Sequence, residues 1–158
     1  MKTALYVAAV ARTYRKAIDD YRESPEKYFA NMDYYRQGIS KCTYRQFTTG
    51  FYYGKTDEHA QIYDSNTYVK NYTYLGTVEA VREDGLVRIE QKNKFSVGET
   101  VEIMKPDGRN LEKEVAAICD EEGNPVESAP HPKQVLYVDL GADAECGDII
   151  RRSEMEAD

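Results

Sequence analysis

From residue 72 onward, short runs that alternate apolar and polar side chains are interrupted by glycine-bearing turns, and that rhythm restricts what this chain can fold into. Residues 72–81, 86–90, 100–104, 111–118, 134–140 and 148–151 read as strands. Val87 and Ile89 share one face, as do Val101 and Ile103. R-E-D-G at 82–85, F-S-V-G-E at 95–99, P-D-G at 106–108 and E-G-N-P at 122–125 supply the turns. A-P-H-P at 129–132 is a loop before a strand, where proline withholds its N–H from any ladder. Together these features predict a small antiparallel β-barrel.

The first part of the chain has a different period. Over residues 5–21, Tyr6, Val10, Tyr14, Ala17 and Tyr21 recur at helical spacing, with Val7, Ala11 and Ile18 beside them. Such a stripe needs a partner. Ser24-Pro25-Glu26 reads as a second helix start: serine caps a free N–H, proline fits the first turn, and the acid faces the positive helix end. Tyr28, Met32 and Tyr35 continue a face, and Gly38 is expected to end it. Residues 1–37 are therefore expected to form a two-helix segment.

Between these regions lies K-C-T-Y-R-Q-F-T-T-G-F-Y-Y-G at 41–54. Residues 42–53 are expected to form a strand bent near Gly50, with alternate aromatics directed into the core and Thr48 and Thr49 cross-linking it. A second reading treats the same stretch as a nucleic-acid surface, because cations meet phosphates and aromatic faces meet bases. Its candidates are Lys41, Tyr44, Arg45, Tyr52 and Lys55, with Lys92 and Lys94 extending the patch from a neighbouring loop.

The net charge of −7 disfavours an evenly distributed polyanion contact, but the charge is uneven. Residues 1–56 carry ten Lys/Arg against five Asp/Glu, whereas residues 120–158 carry three against eleven. The front of the chain can thus hold a positive patch. Cys42, Cys119 and Cys146 are odd in number, widely spaced and without metal-ligand spacing, as expected of reduced cytoplasmic thiols. No apolar run reaches the roughly 20 residues of a membrane span, and the start of the chain is charged too soon for a signal peptide. His59 and His131 stand in turn-rich regions without a zinc-hydrolase, serine-elbow or P-loop motif. Lys41 and Arg45 would favour a Cys42 thiolate, yet an inward-packed Cys42 is the stronger reading. Asp139 with Asp143, or Asp120-Glu121-Glu122, lack the alternating donors of a calcium loop.

R-Q-F-T-T-G-F-Y-Y-G, then Y-L-G-T-V at 74–78, then I-E-Q-K-N-K-F-S-V-G-E at 89–99, resembles the C-terminal region of the collagenase-like peptidase family U32. Residues 1–19 resemble the helix that closes the large catalytic α/β barrel of that family. The matching positions are Arg45, Phe47, Thr48, Thr49, Gly50, Phe51, Gly54, Tyr74, Leu75, Gly76, Glu90, Asn93, Phe95 and Gly98; Glu99 departs, standing where the family often has aspartate.

The resemblance implies a helical segment at 1–37 ending a catalytic barrel that is not in this chain, a C-terminal β-barrel domain at 38–152, and a frayed tail at 153–158. The barrel would be similar to the second domain of translational GTPases. It implies no catalytic residue, metal or cofactor here, with an iron–sulfur centre belonging to the absent barrel. The implied role is accessory: docking to the catalytic barrel or positioning substrate. The alternatives are an RNA-binding module of a tRNA or rRNA hydroxylation protein, and a fragment of a collagenase-type protease. The implied partners are the parent's catalytic barrel, tRNA or rRNA, and a second copy meeting through exposed N-terminal helices.

Overall fold

The computed structural model describes residues 2–45, 47–56, 68–131 and 133–154. The chain begins with α1 (Ala4–Glu23), α2 (Pro25–Ala30) and α3 (Met32–Ser40), three helices where two are expected. Thr3 Oγ1 accepts from Tyr6 N to start α1, and Ser24 Oγ accepts from Lys27 N at 3.1 Å to start α2. The extra break falls at Asn31, whose N–H reaches back to carbonyls of the α2 turn while its own carbonyl starts α3.

Two expectations for the helices are corrected. Gly38 does not end a helix: it lies inside α3, where a Cβ would overlap Thr13 Oγ1 and come within 3.0 Å of Thr13 Cγ2. Glycine is there to let α3 approach α1 closely. The buried face of α1 is Leu5, Ala9, Thr13 and Asp20, not the tyrosine stripe. Tyr14, Ile18 and Tyr21 are 62%, 52% and 55% exposed. Small side chains allow the neighbouring backbone to close on that face, and tyrosines tolerate the wet one.

Asp20 ties the helices together, accepting from Lys16 Nζ at 2.5 Å, Tyr35 Oη at 2.7 Å and Asn31 Nδ2 at 3.1 Å. The bonds from Lys16 and Tyr35 hold its carboxyl well below the usual carboxylate range, against the opposing effect of burial. Burial, then Asp20, pushes the Tyr35 hydroxyl up to about 12. A depressed carboxylate contributes stability that is complete above about pH 4 and is lost as pH falls through its folded value. The Tyr35 contribution has the opposite sense, complete below about pH 10 and lost as pH rises through its folded value. Asp20→Asn should therefore melt at lower temperature than wild type at neutral pH, with the gap narrowing from about pH 4 to 2. An unchanged gap in circular-dichroism melts across that range would refute the linkage.

After the helices, β1 (Thr43–Tyr44) pairs with β2 (Val69–Lys70) in a two-stranded ribbon. The main sheet comprises β3 (Tyr72–Val81), β4 (Val87–Glu90), β5 (Thr100–Met104), β6 (Asn110–Glu114), β7 (Ala117–Cys119), β8 (Val135–Asp139) and β9 (Ile149–Ser153). Its order is β6-β5-β9-β3-β4-β8-β7, and every pairing is antiparallel. It is a curled, open sheet.

Two features produce the curl. β3 shifts register twice, at Tyr74/Gly76 against β9 and at Val78/Ala80 against β4, so its halves serve different neighbours. The expected strand over 111–118 is split as well: β6 pairs with β5, and β7 pairs with β8. Val115 still bonds Glu99, whereas Ala116 already bonds Asp139. The outer strands of the sheet are thus successive pieces of one chain segment. Leu75, Val78, Ile89, Phe95, Ile103, Leu136 and Ile150 fill the interior.

The helices rest on this sheet through a second apolar cluster, in which Leu5 and Ala9 pack with Cys42, Tyr72, Met104 and Ile149. Arg12 adds a clamp, donating through Nη1 to the Lys105 carbonyl at 3.0 Å and through Nη2 to Asn110 Oδ1 at 2.9 Å. Ser153 closes β9, and Glu154 accepts from the Thr73 hydroxyl. Residues 155–158 of the tail lie outside the described residues.

Candidate nucleic-acid interface

The expectation that F-T-T-G-F-Y-Y-G forms a core strand is overturned. Among the described residues of 42–53, only Thr43 and Tyr44 are in a strand. Phe51, Tyr52 and Tyr53 are 79%, 85% and 84% exposed, and Phe47 is exposed too. The physical reason is local. Gly50 N bonds Thr48 Oγ1 at 3.3 Å, Tyr52 N bonds the Thr49 carbonyl, and Gly54 N bonds the Phe51 carbonyl. Gly50 and Gly54 have φ of 52° and 111°, conformations that glycine adopts without a Cβ penalty. Successive tight turns remove the alternation on which the strand expectation depended.

The result is an aromatic surface with cations beside it. Tyr44 stacks on Phe47 at 4.7 Å with the rings 3° from parallel, and Tyr52 meets Tyr53 edge-on at 5.1 Å. Arg45 lies over Tyr68 at 4.7 Å, and Lys2 approaches the same ring at 6.0 Å. Lys55 is exposed at the end of the turns. Residues 38–56 include Lys41, Arg45 and Lys55 but no Asp or Glu, so this region is positive within an acidic chain. Tyr68 and Lys2 were missed by sequence reasoning, because nothing in the spacing links positions 2, 45 and 68.

The other candidates are placed differently. Lys41 is half-buried, 4.0 Å from Glu102 and 5.7 Å from the Tyr72 ring centre, and its carbonyl accepts from Arg151. It is committed to the body of the fold. Lys92 pairs with Glu90; this bond raises the ammonium and lowers the carboxyl. Lys94 is exposed and its carbonyl accepts from Arg152. Asn93 Nδ2 donates to the Tyr74 carbonyl at 2.7 Å, anchoring this connection to β3. Leu75 and Phe95 are core residues, Gly76 sits at the register shift, and Gly98 is in the turn before β5. Arg45, Tyr52 and Lys55 are therefore the exposed candidates of the 41–55 stretch, whereas Tyr44 is half-buried in β1 and packs against the apolar cluster between helix and sheet.

The groups weighed for catalysis are occupied otherwise. Cys42 is buried, as the inward-packed reading expects, and its thiol points to the Ile39 carbonyl; burial pushes it up, outweighing Arg151 and Lys2. His131 is exposed in a loop, and His59 lies outside the described residues. Asp120 accepts from Asn124 N and Nδ2 within its turn, Asp139 accepts from Gly141 N, and Asp143 pairs with Lys113. Among the described residues, no three His, Cys, Asp or Glu side chains gather to hold a metal ion. No described helix is long and apolar enough to cross a membrane.

A helical arm clamped to a curled antiparallel sheet, with a cation-flanked aromatic loop projecting from it, defines a β-domain with an appended helical segment. The chain belongs to peptidase family U32: the profile of the U32 C-terminal domain matches residues 70–151, and that of the U32 family matches residues 1–62. It is 32% identical over 141 residues to tRNA hydroxylation protein P1 of Bacillus subtilis, covering 89% of this chain and 33% of that protein. It is 28% identical to tRNA hydroxylation protein P of Escherichia coli, covering 91% of this chain and 31% of that protein. The chain thus spans about a third of the length of these curated relatives. A solved U32 peptidase C-terminal domain from Geobacillus thermoleovorans is 26% identical, covering 51% of this chain and 99% of that one, with a TM-score of 0.47.

Proposed function

We propose that this chain serves tRNA hydroxylation as the part of a U32-family protein that holds tRNA, not the part that performs the reaction. The observation that carries this is the alignment of about nine-tenths of the chain with proteins named for tRNA hydroxylation. The exposed loop supplies a physical means. Phe51, Tyr52 and Tyr53 offer faces on which unpaired bases stack, while Arg45 and Lys55 meet phosphates. A cytoplasmic place of work goes with such a substrate. The curled sheet is read as a barrel closed through 110–119, of the kind found as the second domain of translational GTPases.

A second observation supports the docking role. Tyr14, Ile18 and Tyr21 on α1 and Phe29 on α2 leave an exposed apolar face. That face suits the remaining two-thirds of a U32-family protein, for which the helical segment would be a seat. A second copy of the chain is the competing occupant, and a collagenase-type fragment is the competing identity.

Retention of tRNA on filters by the 158-residue chain tests the RNA role. Arg45→Ala with Lys55→Ala should weaken retention roughly tenfold and reduce the salt slope by about 1.4–1.8, as for two phosphate contacts. Tyr52→Ala should remove about 1–3 kcal/mol of binding if a base stacks there. Absence of retention at low salt, or gelatin hydrolysis by a clean preparation, would overturn the proposal.

A further inference from the structure

A cleft of about 410 Å³ runs between α1 and the turn joining β5 to β6. Four cations, Arg12, Arg15, Lys16 and Arg109, line it with the carboxylates Asp19 and Asp107, and Lys16 is committed to the buried Asp20 beside it. Arg12, held by two carbonyls and an amide oxygen, leaves the lining with a net positive charge in a chain of net charge −7. Tyr34 forms part of the wall and is half exposed. A second hollow of about 340 Å³ shares Arg12, Arg15 and Pro106 with the first, so the two run together along the seam between helix and sheet.

The cations differ in how firmly they are held. Arg12 is fixed by the Lys105 and Arg109 carbonyls and by Asn110, all from the sheet side. It sets a rigid positive floor. Arg15 meets Asp19 through Nε at 2.8 Å, which leaves its two terminal nitrogens outside that pair. Arg109 meets Asp107 at 2.7 Å, and both arginine side chains are mostly solvent-exposed. Exposed pairs of this kind contribute about 0–1 kcal/mol, so a phosphate oxygen can exchange with either carboxylate at little loss. A guanidinium also has five N–H groups and can serve a carboxylate and a phosphate together.

We infer that this cleft is a second RNA site, taking the phosphodiester backbone on Arg15 and Arg109 with a base or ribose against Tyr34. The inference rests on the tRNA-holding role proposed above and adds a location that the 41–55 stretch does not contain. Arg15 and Arg109 are 94 positions apart in the chain, so only the docking of α1 against the β5–β6 turn creates the site. Arg12 is a positioning residue here. Its clamp holds the walls at their spacing.

The test compares the wild-type chain, Arg15→Ala with Arg109→Ala, and Arg45→Ala with Lys55→Ala, using fluorescence anisotropy of labelled tRNA across a salt series. The cleft pair should weaken binding about tenfold and reduce the salt slope by about 1.4–1.8, and the four-fold variant should lose both increments. An unchanged slope for the cleft pair, with the 45/55 pair still defective, would overturn the cleft alone. No binding by the wild-type chain would overturn the tRNA-holding role. Arginine side-chain NMR signals, followed while a short oligoribonucleotide is added, give an independent readout: Arg15 and Arg109 Nε–H signals should shift in the wild type. If they stay fixed while loop signals move, the cleft is not a site. Arg15→Lys with Arg109→Lys keeps charge and fold and should recover most of the slope, whereas a failure to recover it would show that the loss came from distortion, not from phosphate contact.

Discussion

Replacing Arg151 with alanine is expected to lower the free energy of unfolding by about 3–5 kcal/mol, read from urea melts. Arg151 is among the largest fully buried side chains, on β9 in the middle of the sheet. Its Nε donates to Glu102 Oε1 at 2.6 Å, its Nη2 pairs with the same carboxylate, and its Nη1 donates to the Lys41 carbonyl at 3.1 Å. The guanidinium also lies over the Tyr72 ring at 4.6 Å. Alanine would leave Glu102 charged in a largely buried place, Lys41 with an unfilled carbonyl, and a void under Tyr72. Adding Glu102→Ala should recover part of the loss, because a charge then compensated in part by the Lys41 ammonium at 4.0 Å goes with it. A loss below about 1 kcal/mol for the single substitution would show that the buried pair contributes little.

Gly38→Ala is expected to destabilise by about 1–3 kcal/mol, although alanine normally improves a helix interior by about 1 kcal/mol over glycine. The sign is the informative part. The added methyl would overlap Thr13 Oγ1 on α1, and Thr13 is β-branched and already donates to the Ala9 carbonyl at 2.8 Å. It has little freedom to turn away. In a Thr13→Ala background the clashing atoms are gone, and the same substitution should become neutral or stabilising. If Gly38→Ala stabilises the otherwise unaltered chain, the close approach of α1 and α3 is not what glycine serves.

The elements were legible where one local rule dominates. Val87 with Ile89, and Val101 with Ile103, alternate cleanly and face the core as alternation requires. Ser24-Pro25-Glu26 starts a helix as its capping chemistry predicts. Legibility failed where two local rules compete. In 47–54, β-forming threonines and aromatics argue for a strand, while Gly50 and Gly54 argue for turns; the turns prevail, closed by Tyr52 N on the Thr49 carbonyl and Gly54 N on the Phe51 carbonyl with both glycines at positive φ. The aromatics counted as core thereby became surface. Of the candidate surface, composition makes legible the exposed Arg45, Tyr52 and Lys55, which stand close together in the chain. The packing of Lys41 beside Glu102 and Tyr72 is not legible, because these distant partners leave no trace in its own neighbourhood.

Sequence by itself determined the order of helices and then strands, the turns between them and the positive character of the first third, since each depends on side chains a few positions apart. Tertiary structure alone decided which face of α1 is buried, where Arg151 is enclosed, that 110–119 serves both margins of the sheet, and that Arg15 and Arg109 line one cleft. Those outcomes depend on contacts between segments far apart in the chain. Local periodicity cannot encode such contacts, because the free energy that selects among them arises only when the segments pack.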